Sequence, residues 1–202
     1  MENKNFKSYK DYVKLQISKP FKNKQKGLSW EYNNIRNVKS NWIQEVSNYV
    51  NLQSIKHCLV LGGRWGGDVL HLREGGCQGK ITAIDLHDPP LSEYVIFGDA
   101  HDLSFLNTPI DLVYAHHVFE HFFKPSVVID QIKQYSDNPL YVACVLPTFE
   151  KKDKYDAQDE FNSPQEFIDI FAFKNFECIM YNEKVLPKKK KSTHFFIFKL
   201  MD

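Results

Sequence analysis

The sequence predicts an α/β protein built on a doubly wound sheet of seven strands, mostly parallel with an antiparallel last strand, plus an N-terminal helical segment. Short apolar runs alternate with helical patterns through most of the chain, which is typical of a parallel sheet with helices on both faces. The last two apolar runs have no helix between them, so one of these two strands is expected to run antiparallel to the others.

Length and composition fit one compact unit. The chain has 202 residues, enough to bury a sizeable core, with 43% hydrophobic and 25% charged residues. Within this unit we expect residues 1–55 to form an arm and a helix that cover the sheet, and residues 56–202 to form the main domain. Lys and Arg total 26 against 25 acidic residues, a balance that argues against a protein that coats nucleic acid.

The chain also shows no pattern typical of export or membrane insertion. Residues 1–26 are polar and lysine-rich, unlike a secretory signal, and no later apolar run is long enough to span a bilayer. The four cysteines include no C-x-x-C pair and are expected to be reduced. We therefore expect a cytoplasmic protein, monomeric or homodimeric, with no membrane partner.

The N-terminal region is expected to be a polar arm over residues 1–28, with a short helix at Tyr9–Gln16. From Ser29 to Val50 apolar residues recur at helical spacing, and Ser29 is a suitable N-cap. Two interpretations of the aromatic side chains in this region stay open: they close over a functional site, or they only cover the sheet, which the sequence favours. The residues concerned are Tyr9, Tyr12, Trp30 and Trp42.

The middle of the chain is expected to alternate strands and helices. Gly75-Gly76 stops a helix, Asp88-Pro89-Pro90 breaks the chain, and Pro125 stands near a helix start. The expected elements are strands at His57–Leu61, Ile81–Leu86, Tyr94–Phe97 and Asp111–Ala115, a helix at Gly67–Glu74, and a helical pattern from the fourth strand through Gln134.

The C-terminal part is expected to add three strands. A strongly apolar strand at Leu140–Leu146 is followed by a charged loop, and Ser163-Pro164-Gln165-Glu166 then has the pattern of a helix cap. The final strands are expected at Phe176–Tyr181 and His194–Leu200, with Lys188–Lys191 in a solvated loop between them.

A glycine cluster, Gly62 to Gly67, directly follows the first strand. A strand that runs into glycines and then a helix brings backbone close to a nucleotide, because a Cβ would block both the tight turn and the ligand. Asp85 ends the second strand about 20 residues later, where a carboxylate accepts hydrogen bonds from ribose hydroxyls. Each signal is weak alone, and together they indicate a nucleotide-type site.

Two further motifs narrow this interpretation. They are Gly98-Asp99-Ala100 and the segment Asp111-Leu112-Val113 to Glu120-His121. With four motifs in this order between roughly His57 and Pro147, the chain resembles the class I S-adenosylmethionine-dependent methyltransferases, specifically their small type 11 group. The resemblance implies a Rossmann-like fold with an antiparallel last strand, and S-adenosylmethionine as the cofactor.

The resemblance also implies roles for individual residues. Gly62 and Gly66 would bring the backbone close to the amino-acid moiety of the cofactor, and Asp85 would bind its ribose. Asp99 would accept a hydrogen bond from the exocyclic amine of the adenine. The predicted cofactor-binding residues are Gly62, Gly63, Arg64, Gly66, Asp85, Leu86, Asp99, Ala100 and His116.

The glycine loop departs from the family pattern at two positions. Val60 stands where the family usually has an acid in the first strand, and Arg64 replaces the middle glycine. Arg64 either pairs with the carboxylate of the cofactor, for which a planar guanidinium is suited, or points to solvent or to Glu74. Both interpretations stay open.

The histidines after the fourth strand are the candidates for chemistry. Under the resemblance, His116 and His117 would lie near the sulfonium and the acceptor. A hydroxyl acceptor needs a base, and the ordinary pKa of histidine suits that role. We predict that His117 and His121 are catalytic. If Val118 begins a helix, these two lie one turn apart with Glu120 beside them.

The same segment allows a metal interpretation. His117 to His121 matches the H-x-x-E-H string of inverted zinc proteases, but no third ligand is evident. Certain O-methyltransferases of the resembled family hold a divalent ion with E-x-x-E-H at this place. Here His117 replaces the first Glu, which favours a softer ion such as zinc or no ion. We predict no metal.

The sequence therefore predicts an S-adenosylmethionine-dependent methyltransferase that acts on a hydroxyl of a small molecule or a sugar. A competing hypothesis is a methyltransferase-like protein that has lost activity and serves as a binding or scaffold subunit, which Val60 and Arg64 favour. A nucleotide-binding oxidoreductase would share the glycine loop and Asp85 but would not require the later motifs. A small-molecule acceptor is the expected partner, and nucleic acid is not.

Overall fold

The structure, a computed structural model, describes residues 8–18, 27–28, 32, 42–88, 90–149, 155–186 and 191–202. Within these residues, seven strands form one sheet. They are β1 (His57–Leu61), β2 (Lys80–Asp85), β3 (Ile96–Phe97), β4 (Ile110–His116), β5 (Ser136–Pro147), β6 (Phe176–Leu186) and β7 (Lys191–Leu200).

Helices precede and connect the strands. They are α1 (Tyr9–Ser18), α2 (helical residues 42–47), α3 (Gly67–Glu74), α4 (Pro125–Gln134) and α5 (Pro164–Phe173). Local chemistry fixes two of the starts. Pro125 and Pro164 occupy the first turns of α4 and α5, where a missing N–H is tolerated. Ser163 caps α5, since its hydroxyl accepts a hydrogen bond of 3.1 Å from the main-chain nitrogen of Glu166.

The strand order across the sheet is β3-β2-β1-β4-β5-β7-β6. β7 runs antiparallel to both of its neighbours, whereas the pairs β3–β2, β2–β1, β1–β4 and β4–β5 are parallel. The chain builds outward from β1 in one direction and then restarts at β4 on its other side. This reversal leaves a crevice at the carboxyl ends of β1 and β4, the place where open α/β sheets bind ligands.

Both faces of the sheet are covered. Alternate residues of β1 point to opposite faces: Leu59 and Leu61 join the apolar core under α4 and α5, whereas Cys58 and Val60 join the core under α2 and α3. All five residues of β1 are buried, as expected for a central parallel strand. The doubly wound architecture predicted from the sequence is therefore confirmed.

The predicted strands are present in the described residues, and several boundaries differ. β3 is shorter than predicted, starting at Ile96. β5 starts at Ser136, earlier than predicted, and its pairing with β4 is irregular between Ile110 and Leu112. β6 and β7 extend further into the connection between them than predicted. The predicted cap Ser29, Trp30 and Lys188–Lys190 lie outside the described residues, and the proposed split at residue 55 stays a prediction.

Candidate active site

A cavity of about 220 Å³ opens at the carboxyl ends of β1, β2 and β4. Its wall combines the glycine loop after β1, the ends of β2 and β3, the segment after β4, and one face of α1. The lining residues are Tyr12, Gln16, Gly62, Arg64, Asp68, Ile84, Asp85, Leu86, His87, Gly98, Asp99, Ala100, His116, His117, Val118, His121 and Phe122. The cavity lies at the topological switch point of the sheet.

The glycine loop bends sharply where it leaves β1. Gly62 has a φ of +67° and Gly66 a φ of +86°, conformations that side chains other than glycine rarely adopt. Gly62 lines the cavity, whereas Gly63 and Gly66 are buried behind it. A Cβ added to Gly66 would lie only 2.5 Å from the Cβ of Tyr94, which is too close. A direct cofactor contact from Gly63 or Gly66 stays a prediction.

The two departures from the family pattern occupy different surroundings. Val60 is fully buried in the core under α2 and α3 and does not line the cavity. Arg64 is exposed at the cavity with a φ of +46°, and its main-chain N–H donates to Asp85 over 3.1 Å. Pairing of the guanidinium with a cofactor carboxylate stays a prediction.

Asp85 presents an ionised carboxylate at the end of β2. The ring nitrogen Nδ1 of His87 lies 2.7 Å from its Oδ1, and the main-chain nitrogens of Arg64 and His87 donate to the same carboxylate. Burial by itself raises the pKa of Asp85, but these hydrogen bonds outweigh burial and hold the pKa below its usual value. A carboxylate of this kind is a strong acceptor for hydroxyl donors.

Asp99, after β3, is a second ionised carboxylate. Its Oδ1 accepts hydrogen bonds from the main-chain nitrogen of His101 at 2.9 Å and from its ring Nδ1 at 3.0 Å. Burial raises the pKa of Asp99, and the hydrogen bonds from His101 and from the hydroxyl of Tyr9 outweigh that effect and lower it. The acid that the family resemblance assigns to adenine is thus already in contact with α1.

Helix α1 crosses the cavity from Asp99 to the loop before α5. Tyr9 contacts Asp99 at one end, and Gln16 at the other donates from Nε2 to the main-chain oxygen of Tyr155 over 2.8 Å. Tyr12 and Gln16 line the cavity. Two interpretations of the aromatic side chains were left open above. Tyr9 and Tyr12 fit the first, in which the side chains close over the site. Trp42 covers the sheet instead, packing against Phe195 with a centroid separation of 4.9 Å.

The segment after β4 corrects one sequence-based expectation. His117 has a φ of +54° and Val118 is not helical, so the predicted helix does not begin at Val118. Only one 3₁₀ turn, Phe119–His121, intervenes before α4 begins at Pro125. The condition under which His117 and His121 would lie one turn apart on a helix is therefore not met, because His117 leaves the strand with a positive φ.

Glu120 nevertheless brings the two histidines together. Its Oε1 lies 3.6 Å from Nδ1 of His117 and 3.9 Å from Nε2 of His121. Burial raises the pKa of Glu120, but the contact with His117 and the nearby His121 outweigh burial and lower it. Asp156, in the loop before α5, is 3.0 Å from Nδ1 of His121. Sequence reasoning missed Asp156 because nothing in a charged loop indicates which acid folds back to the site.

A metal site is not formed by these groups. Among the described residues, no three or more His, Cys, Asp or Glu side chains are placed to hold a metal ion. Asp111, part of the fourth sequence motif, lies at the amino-terminal end of β4, at the opposite end of the strands from the cavity. Its carboxylate accepts hydrogen bonds from the main-chain nitrogens of Lys56 and His57 at 2.8 and 2.9 Å and so ties β4 to the start of β1.

The cavity has the donor and acceptor groups that the predicted cofactor needs. Two ionised carboxylates, Asp85 and Asp99, stand at the ends of adjacent strands, and the turn at Gly62 exposes backbone between them and the histidines. Seven of the residues predicted to bind the cofactor line the cavity together with His117 and His121. They are Gly62, Arg64, Asp85, Leu86, Asp99, Ala100 and His116.

Comparison with known families agrees with this geometry. Residues 59–136 match the model of a methyltransferase domain family, the type 11 methyltransferases. This match begins in β1 and ends at the start of β5, so it contains the glycine loop, both carboxylates and the histidines. The resemblance to the class I methyltransferases of the type 11 group, which the sequence indicated, is therefore confirmed. The match also agrees with S-adenosylmethionine as the predicted cofactor.

Solved structures of methyltransferases share the fold of this chain at low sequence identity. The plantazolicin methyltransferase BpumL, solved with S-adenosylhomocysteine, is 14% identical, covers 94% of both chains and gives a TM-score of 0.62. An O-methyltransferase from a polyketide synthase of Brevibacillus brevis, also solved with S-adenosylhomocysteine, is 11% identical, covers 80% of this chain and 71% of its own, and gives 0.63.

A third structure, the [4+2]-cyclase SpnF, is 11% identical, covers 80% of each chain and gives a TM-score of 0.60. The methyltransferase fold therefore also occurs in a protein named for a different reaction.

Among curated proteins, no sequence matches the chain. In the part of the chain that the structure describes, no helix has the length and apolar character needed to cross a membrane.

Proposed function

We propose that this methyltransferase transfers the methyl group of S-adenosylmethionine to a hydroxyl oxygen of a small molecule or a sugar. One observation carries the proposal: a single cavity is lined by the carboxylates of Asp85 and Asp99 on one side and by the imidazoles of His117 and His121 on another. The first pair suits a nucleoside with hydroxyl and amine donors. The second pair supplies a base for an acceptor proton.

The chemistry divides simply between ligand and protein. When bound, S-adenosylmethionine supplies a methyl group on a positively charged sulfur, which is open to in-line displacement. The chain positions the acceptor and takes up the proton that a hydroxyl loses, for which an imidazole is suited near neutral pH. The O-methyltransferase from Brevibacillus brevis, similar in fold, supports a hydroxyl acceptor.

The size of the cavity favours a small acceptor. Its volume of about 220 Å³ lies below the roughly 300–1,000 Å³ of most small-molecule sites, because α1 covers part of it. A cofactor and an acceptor together would therefore require α1 to shift. Large acceptors would require a larger shift, so small alcohols and sugars are the compounds to test first.

Binding of the cofactor product is the first test. We expect calorimetry to show S-adenosylhomocysteine binding with a micromolar dissociation constant. Asp85→Ala should weaken binding by roughly tenfold or more, since a hydrogen bond to a charged group contributes about 1.5–3 kcal/mol. Asp130→Ala, which removes an exposed carboxylate on α4, is the matched control and should bind like the wild type. No binding by folded wild-type protein would refute the proposal.

Transfer is the second test. The wild type is incubated with S-adenosylmethionine labelled in its methyl group and with a panel of alcohols, sugars and amines. Label on an alcohol or sugar supports the proposal, and label on amines alone overturns the assignment of a hydroxyl acceptor.

The competing function is a binding or scaffold protein without activity. Arg64 in the glycine loop and the contact of Tyr9 with Asp99 favour it, because both alter the cofactor side of the cavity. Binding of S-adenosylhomocysteine without transfer to any compound of the panel would favour this alternative over the enzyme.

A further inference from the structure

An alternating row of carboxylates and imidazoles runs from the loop before α5 to the cavity. In order it contains Asp156, His121, Glu120 and His117, with neighbouring atoms 3.0, 3.9 and 3.6 Å apart. The residue at the cavity end of the row, His117, is the most exposed of the four. The side chains of Asp156 and Glu120 are each 8% exposed, whereas that of His117 is 37% exposed.

The two histidines differ in how their ring nitrogens are engaged. Nδ1 of His121 faces both Asp156 and the main-chain oxygen of Tyr155, the latter at 3.2 Å. A carbonyl oxygen only accepts, so this nitrogen carries a proton and donates. His121 is therefore held from one side by the loop, and its Nε2 edge faces Glu120.

His117 is engaged on one nitrogen. Its Nδ1 faces Oε1 of Glu120, while no described residue hydrogen-bonds to its Nε2. A carboxylate beside one imidazole nitrogen favours a proton there and leaves a lone pair on the other nitrogen. Among the two histidines predicted to be catalytic, His117 is thus the one with a nitrogen available to accept a proton.

The position of Glu120 depends on its neighbours. Its Oε2 is buried and has no hydrogen-bond partner among the described residues, and Oε1 is the oxygen nearest to both imidazoles. Distances of 3.6 and 3.9 Å are those of ion pairs rather than hydrogen bonds. In ligand-free enzymes, contacts of this kind are often long and shorten when the ligands bind.

We propose that Glu120 and Asp156 are positioning residues: Glu120 fixes the ring and the Nδ1–H tautomer of His117, and Asp156 holds His121 against Glu120. The Nε2 of His117 is then the proton acceptor at the cavity. This inference rests on the proposed function, since only an acceptor with a proton to lose needs such a base. It also separates the two predicted catalytic histidines, making His121 a support.

The test that does not depend on an acceptor is the nitrogen spectrum of the imidazoles. Protein labelled with ¹⁵N in histidine is saturated with S-adenosylhomocysteine and measured at alkaline pH, and His117→Gln and His121→Gln identify the two signals. We expect wild-type His117 with Nδ1 protonated and Nε2 bare. Glu120→Gln should raise the share of the other tautomer, because an amide can donate toward Nδ1. A wild-type His117 protonated on Nε2 would overturn the proposal.

The kinetic test uses whichever alcohol accepts label in the transfer screen. Glu120→Gln should lower kcat by about 10²-fold or more, within the range of general-base contributions, and leave KM and the affinity for S-adenosylhomocysteine within twofold. Asp156→Asn should lower kcat by about tenfold and perturb the spectrum of His121. Asp159→Asn is the matched control, an exposed acid of the same loop paired with Lys124, and should change neither.

The two tests separate failure of this proposal from failure of the proposed function. If no alcohol is methylated but the tautomers respond as expected, the arrangement of Glu120, Asp156 and His117 holds and the hydroxyl acceptor is refuted. If alcohols are methylated and Asp156→Asn behaves like Asp159→Asn in both tests, the positioning role of Asp156 is refuted and the proposed function stands.

Discussion

Gly62 follows the last residue of β1, and its α-carbon faces the side chain of Val118 from the segment after β4. A Cβ built on Gly62 would lie 2.9 Å from Cγ2 of Val118, closer than side chains pack. Glycine at this position thus serves two needs. It allows the left-handed backbone, and it lets β1 and β4 end side by side at the cavity. The sequence indicated the first need but not the second, which depends on a residue far along the chain.

Gly62→Ala tests both needs. The left-handed backbone should cost about 1–2 kcal/mol for a residue with a Cβ, and the contact with Val118 should add to that cost. Gly76→Ala is the matched control: its φ is +98°, but its nearest contact would be 3.8 Å away. We expect urea unfolding to show a greater loss for Gly62→Ala than for Gly76→Ala, with partial recovery when Val118→Ala is added. Equal losses would contradict the role assigned to Val118.

At the scale of elements, most of the fold could be predicted because each helix and strand carries its own local signals. Pro164 with the Ser163 cap fixes the start of α5, and Gly75-Gly76 ends α3. The exception is the turn at His117, where a positive φ breaks the helical pattern. Nothing in the spacing of apolar residues distinguishes a residue that leaves a strand in the left-handed conformation from one that begins a helix.

The site could be predicted only where its residues adjoin a strand end. Asp85, Asp99 and His117 follow strands, and the topology brings them together. Tyr12, Gln16 and Asp156 reach the same place from α1 and from a loop. Gln16 and Tyr155, for example, are joined across 139 residues of sequence. Periodicity describes neighbours along the chain, so it contains no information on such contacts.

Tyr9→Phe tests the position of α1. Burial raises the pKa of the Tyr9 phenol, so it is a hydrogen-bond donor at neutral pH, and it donates to the carboxylate that the family resemblance assigns to adenine. Removing the hydroxyl frees the Asp99 carboxylate for the ligand. The affinity for S-adenosylhomocysteine should therefore rise by roughly three- to tenfold, which corresponds to a net hydrogen-bond energy of about 1 kcal/mol. Tyr49→Phe, at an exposed tyrosine, is the control. Weaker binding by Tyr9→Phe would show instead that α1 assists the cofactor.

At the scale of the whole molecule, two sets of buried titratable groups both lower the stability of the folded state in acid, over different ranges of pH. Asp85, Asp99 and Glu120 at the cavity have lowered pKa values, so they stabilise the folded state above the ordinary range for carboxyl groups and lose that contribution below it. His57 and His194 lie away from the cavity. Burial lowers the pKa of each, so the folded state keeps them neutral where the unfolded chain already binds protons.

From the two buried histidines we predict how the free energy of unfolding depends on pH between about 7.5 and 5. Below this window, protonation of the carboxylates determines the dependence. His57 is held by Thr82 at 2.8 Å and by the main-chain oxygen of Pro109 at 3.0 Å, and His194 by Tyr181 and Ser192 at 3.1 and 2.9 Å. As the pH falls through the ordinary value for histidine, about 6.5, the unfolded state gains protons that the folded state does not bind. The free energy of unfolding should therefore decrease across this window.

Urea unfolding at a series of pH values measures this decrease. The double variant His57→Gln/His194→Gln should show a flatter dependence than the wild type, even though the loss of buried hydrogen bonds lowers its stability at every pH. Asp159→Asn is the matched control, since it removes an exposed carboxylate that pairs with Lys124, and it should leave the slope in this window unchanged. A wild-type stability that stays constant from pH 7.5 to 5 would contradict the assignment of both histidines as buried, neutral groups.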